Sequence, residues 1–187
     1  MTQSYLFVTK TSFQESVGLV SATFIELDKI SDNGRLYKFS EAQEIIKGLV
    51  GSPVRYGVNW LGQHIKGSKA REIGFVESAK LVGKKIIGSI RITAKDILSR
   101  LKSGIKFLLS VGGEGLGIIR KGFTEMRELE VTHVQIWESG QKNILGQPQT
   151  AGFPSAKVEK ILEIQESVLY AGSKDKFIAL MVALGVI

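Results

Sequence analysis

The stretch MRELEVTHVQIW, residues 126–137, has the clearest alternation in the chain. Leu129, Val131 and His133 fall on one side of an extended chain, and Glu130, Thr132 and Val134 on the other. A period of two belongs to a strand with one buried face, so the fold must supply a sheet for it to join.

The rest of the sequence offers partners for that strand. SVGLVSATFIELD at 16–28 is rich in β-branched and aromatic residues. PVRYG at 53–57 is a short strand, and EIGFVESAKLV and KKIIGSIRI form two more, joined at Val82-Gly83-Lys84, where a glycine suits a tight turn. FLLSV at 107–111 is too short for an ordinary helix and reads as a buried strand; the GGEGLG that follows reads as a flexible loop. An Asn-Gly turn lies in SDNGR at 31–35.

Two helices interrupt the strands. Ser40 is expected to cap EAQEIIKGLV, whose stripe is Ile45, Ile46 and Leu49 and whose end is Gly51. AKDILSRLKSG is expected to stop at Gly104. ESGQKNILGQPQTAGFPS is polar, holds two of the three prolines and reads as a boundary. Residues 1–142 are therefore expected to form one domain, and 143–187 a linker with a helical C-terminal segment packed on the domain or on a partner. Val158, Ile161, Leu162 and Val168 have helical spacing, as do Phe177, Ile178, Met181 and Leu184. The expected fold class is α+β: a small antiparallel β-barrel or curved sheet with peripheral helices.

With 187 residues, the chain is long enough to bury a core without crosslinks. It has no cysteine, which excludes disulfides, thiolate nucleophiles and Cys-based zinc sites. MTQSYLFVTK does not open like a secretory signal, and no apolar run reaches the roughly 18 residues of a membrane span. The net charge of +7 reads as a lysine-rich surface, ahead of an acidic partner. No run alternates bases with aromatics, so nucleic acid is not expected as a specific partner.

There are only two histidines, His64 and His133. Imidazole is the side chain best suited to move a proton near neutral pH, and a serine hydroxyl is a weak nucleophile until a base takes its proton. Ser110 ends the apolar FLLS strand and precedes glycines, an arrangement that fixes a nucleophile while leaving room for a substrate. Two histidines could equally hold a metal, with Glu130 or Glu72 as third ligand, but no HExxH spacing marks such a site. The glycines at 112–117 match neither a dinucleotide fingerprint nor a phosphate loop, and no cofactor is expected.

Several segments, in order, resemble the superfamily that joins tailed-phage prohead proteases to the herpesvirus maturation protease, assemblin. SDNGRLYKFSEAQEIIKGLVGSPV resembles the phage succession of an Asn-Gly-Arg stretch, a helix and a Gly-x-Pro-Val strand. His64, followed by Ile73-Gly74-Phe75-Val76, resembles the first catalytic histidine and its Gly-x-Val strand. FLLSVGGEG resembles the nucleophile strand, and HVQIWESGQK at 133–142 resembles His-Val-Ala-Leu-Cys followed by Gly-Arg-Arg. The likeness covers about residues 16–142.

The resemblance implies a serine endopeptidase with Ser110 as nucleophile, His64 as base and His133 as third member. It places Gln141 and Lys142 where the family carries paired oxyanion arginines, which this chain does not keep. Phage members often have an acidic third residue, and Glu130 is the alternative to His133. The implied role is capsid maturation inside a procapsid in the host cytoplasm, with scaffold and capsid-protein segments as substrates and a homodimer as the working form. The alternative is a catalytically silent capsid- or scaffold-associated binding protein of the same fold. Phage relatives often cut after glutamate, so Ile161-Leu162-Glu163 and Ile164-Gln165-Glu166 are candidate self-processing sites, although an amphipathic segment accounts for both.

Overall fold

The computed structural model describes residues 13–57, 71–142, 146, 152–153 and 155–169, with side chains described between 17 and 162. One compact unit runs from Val17 to Ile164; a second consists of Met1–Ser16 and Gln165–Ile187. In the second unit, 13–16 and 165–169 are extended strand residues.

The elements are β1 (Phe13–Glu26), β2 (Arg35–Tyr37), α1 (Ala42–Leu49), β3 (Pro53–Tyr56), β4 (Arg71–Val82), β5 (Lys85–Ile92), α2 (Lys95–Lys102), β6 (Phe107–Arg120), β7 (Phe123–Glu138) and β8 (Lys157–Leu169). Seven strands close a barrel in the order β7, β3, β4, β5, β1, β8, β6 and back to β7, and β2 adds to β7 outside the ring. The expected α+β barrel with outlying helices is the fold observed. Its sheet is mixed: β2 and β3 both run parallel to β7, at Leu36↔Glu125 and Val54↔Val134. The chain between them, which contains α1, leads from one stretch of β7 to the other.

Glycines in the left-handed region mark two of the element ends. Gly83 takes φ +57 in the β4–β5 turn, and Gly104 takes φ +84 after α2. α1 buries Ala42, Ile45 and Leu49 and lies against β7 so closely that a Cβ on Gly48 would come within 3.1 Å of Val131 Cβ. The barrel core contains Val20, Val54, Ile73, Val76, Ile90, Ile92, Leu109, Val134 and Ile136, all fully buried. No helix among the described residues is long and apolar enough to cross a membrane.

Three expectations need correction. Ser40 does not cap α1; it lies in a 3₁₀ turn, Phe39–Glu41, and the helix follows without a side-chain cap. GGEGLG is not a loop but the middle of β6, which runs on to Arg120. Residues 157–169 form a strand, not a helix. In that segment Val158, Leu162, Ile164 and Val168 also fit a two-residue period, so the pattern permits both structures. Tertiary context decides, because β8 fills the gap between β1 and β6. Thr23 Oγ1 donates to Glu159 Oε1 (2.8 Å), and Phe107 pairs with Val158. The compact unit thus takes in part of the segment after residue 142, including Ile161-Leu162.

Several carboxylates titrate below their ordinary range. Hydrogen bonding from Arg127, then from Arg120, lowers the Glu125 carboxyl; Arg71 does the same to Asp96, and Arg91 to Glu77. Glu125 is the best enclosed of these, with Arg127 Nη2 at 2.5 Å. A carboxylate that is more acidic when folded contributes stability that is complete above its unfolded pKa. That contribution disappears as pH falls through the folded value. The urea midpoint is therefore expected to fall on acidification from about pH 5 to about pH 3. Glu125→Gln is expected to start lower and fall less steeply; equal slopes would show that Glu125 carries none of the effect.

Candidate active site

β6 and β7 pair antiparallel with Ser110 opposite Gln135 and Gly112 opposite His133. Opposed residues share a face, as do residues two apart, so all four lie together. The other face of the same pair carries Leu109, Val134 and Ile136, sealed in the barrel core. A rigid, core-packed strand thus holds Ser110 at a partly exposed position.

His133 is 8% exposed. Its ring leans across β6: a Cβ built on Gly112 would lie 2.3 Å from Cε1 and 2.4 Å from Nε2. Gly112 is therefore glycine because the imidazole occupies the space of its missing side chain. Gly113 likewise admits the Glu130 carbonyl, which would sit 2.4 Å from an added Cβ. These close approaches explain a glycine-rich run inside a strand, where glycine normally weakens the structure. The ring stands over a position two residues from Ser110, about 7 Å along the strand.

Two residues that sequence reasoning missed extend this face. Gln135 is fully buried, and its Nε2 donates to the Gly57 carbonyl. Arg55 of β3 is opposite Gln135 and also opposite Glu72 of β4, so Ser110, Gln135, Arg55 and Glu72 make a row across four strands. Arg55 Nη2 lies 3.9 Å from Glu72 Oε1. Arg55 Nε and Gln135 Oε1 are buried and meet no hydrogen-bond partner among the described residues. A glutamine flanked by Val134 and Ile136 in a buried strand was the available signal, since an amide there needs a specific partner.

His64 lies outside the described residues. The described chain stops at Gly57, whose N–H donates to the Ile136 carbonyl (2.9 Å), and resumes at Arg71, opposite Tyr56. Gln141 and Lys142 follow the turn at Ser139-Gly140, three residue pairs beyond Ser110, or about 10 Å along the strands. The Gln141 N–H donates to the Glu138 carbonyl (3.3 Å). Glu130 is exposed, opposite Glu114. Among the described residues, no three histidine or carboxylate side chains come together as a metal site.

At the same end of β7, Tyr56 Oη donates to Glu138 Oε1 (3.2 Å), and Arg100 pairs with that carboxylate. Burial, then the Glu138 charge, pushes the Tyr56 phenol above its usual range, so it stays neutral.

No protein-family model and no curated protein matches the sequence. Among solved structures, the fold is similar to that of the bacteriophage T4 capsid assembly protease, gp21. The two have a TM-score of 0.51 and 14% sequence identity, and the match covers 64% of this chain and 82% of that one.

Proposed function

We propose that this chain is a viral prohead serine endopeptidase that cleaves scaffold and capsid-protein segments during capsid maturation. The observation that carries the reading is that Ser110 and a buried His133 lie on one face of adjacent strands, two residue pairs apart, in a barrel similar to that of a phage capsid assembly protease.

Ser110 attacks the peptide carbonyl, and His64 takes its proton and later delivers it to the leaving amine. His133 holds His64 in the useful tautomer. His133 stands over Gly112, two residues along the strand from Ser110, and His64 is proposed to lie between them. The connection carrying His64 leaves β3 beside Gln135, the residue opposite Ser110, and is long enough to return a side chain to this face. The buried position of His133, set against the exposure of Glu130, favours the histidine as third member. Gln141 and Lys142 are proposed to help hold the oxyanion, with backbone N–H groups as the other donors. An imidazole stabilises the developing imidazolium less than a carboxylate would, so turnover is slow. Confinement of enzyme and substrate in a procapsid offsets this by raising their local concentration. A homodimer is the proposed working form.

A serine-directed phosphonate tests the reading. It is expected to label Ser110 once, as read by peptide mass mapping, and to leave His64→Ala unlabelled. No labelling of the wild type would sink the enzyme and favour a silent binding protein of the same fold.

A further inference from the structure

The β6–β7 ladder passes from Gly112↔His133 to Gly113↔Val131, so Thr132 is the extra residue of a β-bulge. Without the bulge, Thr132 and His133 would point to opposite faces. With it, Thr132 Oγ1 lies 2.9 Å from His133 Nδ1 and 3.3 Å from the Gly112 carbonyl oxygen. A hydroxyl has one hydrogen to give, and a carbonyl oxygen can only accept. If that hydrogen went to Nδ1, two acceptor oxygens would face each other across 3.3 Å. The consistent arrangement has Thr132 donating to Gly112, and His133 Nδ1–H donating to Thr132.

We infer that Thr132 is a positioning residue that locks His133 as the Nδ1–H tautomer and so presents Nε2 as an acceptor. The catalytic consequence rests on the proposed Ser-His-His reading. An accepting Nε2 draws the N–H of His64 toward itself and turns the bare nitrogen of His64 to the Ser110 hydroxyl, the direction in which the proton must move. The bulge therefore sets the polarity of the relay through a residue outside the proposed triad.

Thr132 is exposed, so Thr132→Val keeps the shape and strand preference of the site while removing the hydroxyl. Long-range proton–nitrogen correlation spectra of the full chain, recorded above the histidine titration, distinguish a protonated ring nitrogen from a bare one. The expected result is protonated Nδ1 and bare Nε2 on His133 in the wild type and in Thr132→Ser, and a mixture of tautomers in Thr132→Val. In peptide hydrolysis, Thr132→Val should lower kcat by the fraction of His133 that has left the competent tautomer, with KM unchanged and Thr132→Ser restoring the rate. An Nε2–H tautomer in the wild type, or an undiluted Nδ1–H tautomer in Thr132→Val, would overturn the inference. A wild type that hydrolyses nothing would remove the proposed function, while the spectra would still decide the role of Thr132.

Discussion

Ser110→Ala is expected to remove nearly all peptide hydrolysis, a loss of up to about 10⁶-fold in kcat, the scale seen when a serine nucleophile is removed from a coupled triad. The substitution takes away only an oxygen from a partly exposed strand position whose neighbours Leu109 and Val111 keep their packing. Thermal stability should therefore move by no more than about 0.5 kcal/mol. Hydrolysis of a scaffold-derived peptide, followed beside a melting curve, checks both halves. A variant that folds normally and keeps a tenth of the activity would mean that the nucleophile is elsewhere.

Gly112→Ala should damage both stability and rate through one contact. The added methyl would lie 2.3 Å from the His133 ring, so the imidazole must swing out of the space over β6. Overpacking of this kind costs about 1–3 kcal/mol, and misplacing a catalytic group by an ångström costs about 10²-fold in rate. A double-mutant cycle separates this clash from a general effect of alanine in a strand. In a His133→Ala background, Gly112→Ala should cost almost nothing, because the obstructing ring is gone. Equal destabilisation in both backgrounds would show that the ring does not set the requirement for glycine. Denaturant midpoints of the four proteins supply the comparison.

β7 is legible as a strand because it is long enough for alternation to show, but its faces are not: Val134, read with Glu130 and Thr132, faces the core with Ile136, and the bulge puts His133 with Thr132 rather than with Leu129 and Val131. β6 is only half legible. Glycine is the usual mark of a turn, and nothing in GGEGLG says that a histidine ring from the next strand will fill the vacancy at Gly112. The same limit hides the bulge at Thr132, since a two-for-one register is a property of a strand pair and not of either strand alone. Arg55 and Gln135 escape for a similar reason: their positions in the row depend on β3 running parallel to β7, which requires knowing where the chain returns after α1. In the tail, Val158 to Val168 fits two periods, and only the open place between β1 and β6 selects one. Ser110 and His133 of the proposed site could be picked out because a serine shortly before glycines and a scarce histidine are chemical signals that do not depend on register.

Barrel closure by β8 has a temporal consequence. The first strand of the chain has its place beside the last one described, and the strand bearing Ser110 borders that same late arrival. During translation, the sheet from β3 through β7 can assemble while β1 and β6 still lack a shared neighbour. The ring seals only after residues 157–169 have left the ribosome. Until then the strand bearing Ser110 is held from one side only, and the backbone donors and acceptors along its other edge wait for β8 to emerge.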